Sequence, residues 1–371
     1  MNDINGYLYK NFMTYEAMYR NTIKAFYGKS DSSYVNVLID MRSFVRSVLN
    51  PAVKFSYKDP QTPVASAVLN LAAHIRHYFR SRHMVESKIY IVWSTNTKEL
   101  SGNITDYNAH EHMVMETSKQ KYSVDCAVEI LEELCKYIPS VYFINGENVE
   151  TAVLMYALLA NPKKANLYNA PNIIYTKDPF LYQLVSKFSY TFCYFVKKVG
   201  GVDANGNQIT LDVSQVIEKK TLYKDFVRDN GYKYNFILDA IEKRTDLFST
   251  IIGISGAKAR HLKGQKSFMS SVRLMVRIMD LIPIGSPARL TYDTIFDLLM
   301  KGVIRNTKFD PNRAMRDYTI LDCESQYKYF MTVYPKASSI FKGVLDLYSG
   351  EDLKTINDKY FINYPVNVMN L

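Results

Sequence analysis

The run YVNVLID, Tyr34–Asp40, is compact, rich in β-branched residues and closed by a carboxylate. Such a run predicts a strand buried in a parallel sheet. The pattern returns in KIYIVWS (Lys88–Ser94), VYFING (Val141–Gly146) and NIIYTKD (Asn172–Asp178). Helices are predicted between these runs. After Pro60 and Pro63, the residues Val64, Val68, Leu71, Ile75 and Phe79 recur at helical spacing. DCAVEILEELCKYI (Asp125–Ile138) and VETAVLMYALLA (Val149–Ala160) are further helices, and FLYQLVSKF (Phe180–Phe188) begins another. Strands that alternate with helices predict a parallel α/β sheet with right-handed crossovers. Functional groups in such sheets collect at the carboxyl ends of the strands. Asp40, Ser94, Gly146 and Asp178 fall at those ends.

Outward from this core, Ser189–Val213 reads as a β-hairpin, with Gly200–Gly201 and Asn205–Gly206 in its turn. From Leu222 the pattern is mostly helical to about residue 350. Residues 1–33 read as an added helical segment. The expected division is therefore 1–33, an N-terminal helical extension; 34–221, the α/β domain; and 222–371, a helical region with a C-terminal extension.

The chain has 371 residues, 47% apolar and 22% charged, which are the proportions of a folded globular protein. No run approaches the roughly 18 uncharged apolar residues of a membrane span. The N-terminus lacks the apolar core of a signal peptide. A cytoplasmic protein with no membrane partner is expected. Cys126, Cys135, Cys193 and Cys323 are scattered without a CxxC pair and read as reduced thiols. The histidines are not spaced with cysteines as a zinc site needs. Phosphate loops of the GxxxxGK[ST] and GxGxxG types and the GxSxG elbow are missing. The 46 Lys and Arg against 36 Asp and Glu leave a charge of +10, which fits a polyanionic partner. HIRHYFRSRH (His74–His83) is one basic stretch; a charge run of this kind is usually a solvated face. The Tyr, Asn, Lys and Ile content fits an A/T-rich genome, a viral one among the options.

Several segments, in order, resemble the flap endonuclease family, the 5′–3′ exonucleases related to PIN domains. LIDMRSFVR (Leu38–Arg46) resembles the family's opening strand and helix, with Asp40 at the acid position. IYIVWS ends in Ser94 where that family has an aspartate. DYNAHEH (Asp106–His112) loosely matches a following segment, with His110 at an arginine position. INGENVETAVLMYAL (Ile144–Leu158) resembles a glycine and acid-rich helix start. There Gly146 matches, Asn148 replaces a glutamate, Glu150 keeps an acid and Thr151 replaces an aspartate. IIYTKDPFLYQLV (Ile173–Val185) is the most specific match: Asp178 and Gln183–Leu184 agree, and Phe180 replaces an aspartate. IIGISGAKARHLKGQKS (Ile251–Ser267) resembles the turn that holds a duplex backbone. Gly253, Ser255 and Gly264 align there, with Ile254 and Ala257 in place of aspartates.

The resemblance implies a PIN-like parallel sheet flanked by helices, then a mostly helical C-terminal region. It also implies a centre of two divalent cations about 4 Å apart, held by hard oxygen ligands. Three acids are retained as residual catalytic and metal positions: Asp40, Glu150 and Asp178. Acids that converge without an ion repel one another, so pairing with Lys177 or Arg42, or partial protonation, is expected. Glu147, Asp106 and Asp125 are acids near enough in sequence to stand in. Lys258, Arg260, Lys263, Gly264 and Lys266, with Arg273 and Arg277 on the next helix, are the expected phosphate contacts, tolerant of sequence and sensitive to salt. The expected function is binding of duplex or branched DNA, or of a viral replication or transcription complex, with little or no cleavage. Mg²⁺ or Mn²⁺ is the expected ion, if the centre holds one. An active structure-specific 5′-nuclease with an altered ligand set and a structural subunit of a viral assembly are the alternatives.

Overall fold

The computed structural model describes residues 15–16, 18–28, 33–45, 61–95, 118–147, 151–178, 181–202, 208–217 and 323–333. The expected helical stretch 222–322 lies outside them. A six-stranded sheet organises the chain in the order β3-β2-β1-β4-β5-β6. Its strands are β1 (Ser33–Asp40), β2 (Val85–Thr95), β3 (Val141–Glu147), β4 (Asn172–Tyr175), β5 (Thr191–Val202) and β6 (Gln208–Ile217). The first five are mutually parallel, and β6 pairs antiparallel with β5 to close the expected hairpin. The chain thus steps from β1 to β2 to β3 on one side, then returns to place β4 on the other side of β1. That reversal makes a topological switch point between β1 and β4, and sheets of this kind bind ligands beyond the carboxyl ends of the strands at such a point.

Side chains alternate between the two faces of a sheet. On one face Val35, Val37, Ile39, Ile89, Ile91, Trp93, Val141 and Phe143 join the main core. Helices α2 (Gln61–His83) and α3 (Ser118–Leu134) cover it. The other face carries Leu38, Tyr90 and Val92, and α4 (Thr151–Ala160) lies over it. Helix α4 is apolar nearly all round and buries Ala152 to Met155 and Ala157 to Leu159, as a helix closed in on several sides must. Helix α5 (Tyr182–Lys187) follows β4, and α6 (Cys323–Val333) packs against α4. The Cys323 amide donates to Gln183 Oε1, Asn161 Nδ2 donates to the Tyr327 hydroxyl, and Lys187 pairs with Glu324 at 3.1 Å. These polar ties fix α6 to the α/β unit.

The N-terminal segment is helical, a π-helical stretch Tyr19–Ile23 running into α1 (Lys24–Tyr27). Its Tyr15, Met18 and Ile23 are buried in the main core. Glu16 accepts from the hydroxyl of Tyr78 and from Arg20, and meets His83 at 3.0 Å. The Tyr78 hydrogen bond, with help from Arg20 and His83, pulls its carboxyl down to about 2. The Tyr19 ring stacks on His83 at 3.5 Å.

Of the boundaries that differ from the sequence expectation, three have a local cause. Helix α3 begins seven residues before Asp125, because Ser118–Ser123 is polar and shows no apolar period, while Lys and Gln are good helix formers. It stops at Leu134, and Ser140 reverses the chain into β3 at φ 62°. Strand β4 stops at Tyr175 instead of Asp178, because the Asp178 amide turns back to Thr176 Oγ1 at 3.0 Å. Such a hydroxyl turn draws backbone away from a strand ladder.

Candidate functional site

Asp40 ends β1 at the switch point and is 1% exposed. Register places Asp40 opposite Val92, and Ser94 opposite Gly146. Ile39 pairs with Tyr175, so the next residues, Asp40 and Thr176, share a face. Asp40, Thr176, Ser94 and Gly146 therefore line the α4 face along the carboxyl ends of β4, β1, β2 and β3. Gly146 is needed for this closeness: a Cβ there would meet Leu154 Cδ1 of α4 at 2.6 Å.

The Asp40 carboxylate is taken up by groups of its own chain. Oδ2 accepts from Ser43 Oγ and from Thr176 Oγ1, the latter at 2.8 Å. Oδ1 accepts from the Ser43 amide at 3.4 Å and lies 3.7 Å from Nε of the buried Arg42. A carboxylate has about four lone-pair sites, and three hydrogen bonds and one ion pair address them here. The hydroxyls are themselves held in place. Ser43 Oγ accepts from the Lys177 amide at 3.1 Å, and Thr176 Oγ1 accepts from the Asp178 amide at 3.0 Å. Arg42 is thus the cation paired with Asp40, one of the two expected. Ser43 and Thr176 were not anticipated as part of the site. Their signal is local: a Ser three residues after Asp40, in DMRS, and a Thr two before Asp178, in TKD, both spacings at which hydroxyls bond nearby backbone.

Asp178 lies three residues beyond the end of β4. Its charge and that of Asp40 both act on the Cys193 thiol, which burial first and these carboxylates second push well up. Thr176 joins the two acids at the switch point, since its hydroxyl donates to Asp40 and accepts from the Asp178 amide. Cys135 is raised by burial as well. Buried thiols with raised pKa are poor nucleophiles. Ser94 is buried, a neutral hydroxyl in the row. Thr151 is buried at the start of α4, and its hydroxyl has no hydrogen-bond partner among the described residues. Asp125 is exposed on α3, on the opposite face of the sheet, so it cannot substitute at the Asp40 crevice. Glu150, Asn148, Phe180 and Asp106 lie outside the described residues. So do the expected phosphate contacts Lys258, Arg260, Lys263, Gly264, Lys266, Arg273 and Arg277.

These groups do not fit a two-ion centre. An inner-sphere cation needs carboxylate oxygens with free lone pairs. Asp40 instead directs its oxygens at two hydroxyls, an amide and a guanidinium. Among the described residues no group of three or more His, Cys, Asp or Glu is placed to hold a metal.

The basic stretch His74–His83 lies at the opposite, amino end of the sheet. Arg76 is half-buried and donates to the Pro139 carbonyl in the turn before β3. Arg80 pairs with Glu86 at 3.5 Å, and His83 belongs to the Glu16 cluster. Part of this stretch is therefore structural.

No protein-family model and no curated protein matches the sequence. Among solved structures, the chain is similar to the bacteriophage T5 5′-exonuclease with bound zinc, at 12% identity and a TM-score of 0.43, covering 84% of this chain and 99% of that one. It is also similar to a bacteriophage T5 flap endonuclease pseudo-enzyme in complex with product DNA and metal ions. That match has 13% identity and a TM-score of 0.46 and covers 84% of this chain and 98% of that one. Both scores lie below 0.5. The fold class is a mostly parallel six-stranded α/β sheet flanked by helices, and the strand order itself establishes it. No helix among the described residues is long and apolar enough to cross a membrane.

Proposed function

We propose that this chain is a flap-endonuclease-like protein that binds duplex or branched DNA and cleaves it little or not at all. The observation that carries this reading is the engagement of Asp40 by Ser43, Thr176 and Arg42. The acid at the expected ligand position is satisfied by the protein, and the neighbouring strand end offers Ser94 where a carboxylate would serve. DNA would be held through phosphates by Lys258, Arg260, Lys263, Lys266, Arg273 and Arg277, with the Gly264 turn approaching the backbone. Such binding falls steeply with salt.

One observation favours a second reading, a nuclease with an altered ligand set: Thr176 links the two acids, its hydroxyl accepting from the Asp178 amide and donating to the Asp40 carboxylate. With Glu150 they could hold a single Mg²⁺ or Mn²⁺, which would supply Lewis acidity and an activated water. Incubation with labelled flap and nicked DNA plus Mn²⁺ separates the two. Salt-sensitive binding without product is expected. Cleavage that disappears in Asp178→Ala would overturn the binding-only reading. Failure to bind either DNA would leave the fold as a protein-contact scaffold in a larger assembly.

A further inference from the structure

Among the described residues the exposed large apolar side chains are Tyr34, Met84 and Tyr190, at 40%, 75% and 60% exposure. All three lie on one edge of the sheet. Tyr34 is the second residue of β1, Met84 immediately precedes β2, and Tyr190 immediately precedes β5. The register Ser33 to Val85 sets Met84 beside the start of β1. The pairs Asn36 to Asn172 and Asn172 to Thr191 bring Tyr190 to the same edge across β4. This is the amino edge, about 23 Å along β1 from Asp40 at roughly 3.3 Å per residue.

Met84 and Tyr190 sit at φ 51° and 54°, in the left-handed region. Turns from helix to strand commonly place glycine there, because it has no Cβ to clash. This chain instead holds a methionine and a tyrosine in that conformation with their side chains in water. Core packing does not explain it, since neither belongs to the main core.

Rings and cations surround these residues. Tyr190 meets Phe26 edge-on at 4.5 Å, and Tyr34 meets Tyr168 at 4.7 Å. Lys88 Nζ stands 4.2 Å over the Tyr168 ring. Exposed Arg80 and Arg82 end α2 just before Met84, exposed Lys163 and Lys164 precede Tyr168, and exposed Lys24 precedes Phe26. Among the described residues the acids nearby are Glu86, paired with Arg80, and Glu16, held in its own cluster. The described part of this edge is therefore aromatic and net positive.

We infer that the amino edge of the sheet, through Tyr34, Met84 and Tyr190 with the flanking Arg and Lys, is a binding path for single-stranded DNA. Exposed rings beside cations recognise an unpaired strand, because its base faces are free to stack while its phosphates meet the positive groups. A duplex keeps its base faces covered and gains only the charge. The choice of DNA over RNA rests on the function proposed above. The choice of a single strand does not.

The test uses the full chain and fluorescence anisotropy with labelled oligo-dT, labelled oligo-U and a blunt duplex. A triple variant, Tyr34→Thr with Met84→Gly and Tyr190→Gly, is compared with Lys258→Glu, Arg260→Glu. The triple variant is expected to weaken oligo-dT binding about tenfold or more and to keep duplex binding within about twofold, since its phosphate contacts are elsewhere. Its unfolding temperature should hold or rise, because glycine takes the left-handed positions without strain. Unchanged oligo-dT affinity in the triple variant, or no oligo-dT binding by the parent protein, would overturn the inference. So would a lower unfolding temperature, which would assign these side chains to packing. Tighter binding of oligo-U would overturn the choice of DNA. Failure of the function proposed above shows differently: no duplex binding by the parent protein, with oligo-dT binding intact.

Discussion

Replacing Asp40 by alanine is expected to destabilise the protein by about 3–5 kcal/mol, the cost of breaking a buried charge pair. The carboxylate is 1% exposed and Arg42 is 7% exposed. The substitution removes the shared acceptor of Ser43 and Thr176 and takes the carboxylate from Arg42. Each buried donor left unsatisfied costs about 1–3 kcal/mol. Asp40→Asn, which keeps the shape and one carbonyl oxygen, is expected to cost less. Urea unfolding in the presence of a chelator measures both. The sign decides between two views of the site. In a centre built to hold cations, ion-free carboxylates repel, so removing one relieves strain and raises stability. Here the acid is part of the fold, and its loss should lower stability. An equal or higher midpoint for Asp40→Ala would place Asp40 among unengaged ligands.

Deleting the chain before Ser33 is expected to abolish cooperative folding. Tyr15, Met18 and Ile23 of that segment are buried in the core beside β1 and α2. Burying a side chain of this size contributes about 1.5–3 kcal/mol. Three of them together reach about 5 kcal/mol or more, comparable with a net stability of roughly 5–15 kcal/mol. The deletion also strips Glu16 from Tyr78 and His83 and Tyr19 from His83, uncovering the last turns of α2. Near-UV circular dichroism of the truncated and full chains checks this, and Met18→Ala provides a graded version at about 2–5 kcal/mol. A truncated chain that melts cooperatively near the parent temperature would make the segment an appendage.

The parallel strands were legible because a strand buried on both faces is a near-continuous apolar run, as in VNVLI and IYIVW. The carboxyl-end position of Asp40 followed directly from that reading. The core role of the N-terminal segment was less legible, since MTYEAMYR interleaves aromatic and polar residues and its buried members are recognised only against α2. The start of α3 was hidden because a solvated turn of helix carries no apolar period. Ser43 and Thr176 were hidden for another reason: a hydroxyl that caps a carboxylate looks like any surface Ser or Thr until strand register brings β1 and β4 together. The departures at Ser94 and Thr151 from the acid pattern were visible in sequence. What only geometry adds is that Asp40 is already satisfied by its neighbours.

The most direct measurement is calorimetric titration of the full chain with Mg²⁺ and Mn²⁺ near neutral pH, alongside Asp178→Ala. At most one weak site is expected, with the heat of any such binding reduced in the variant. Tight binding of two ions would show that Asp40 leaves its hydroxyl and guanidinium partners for metal, and would contradict the proposed binding without efficient cleavage.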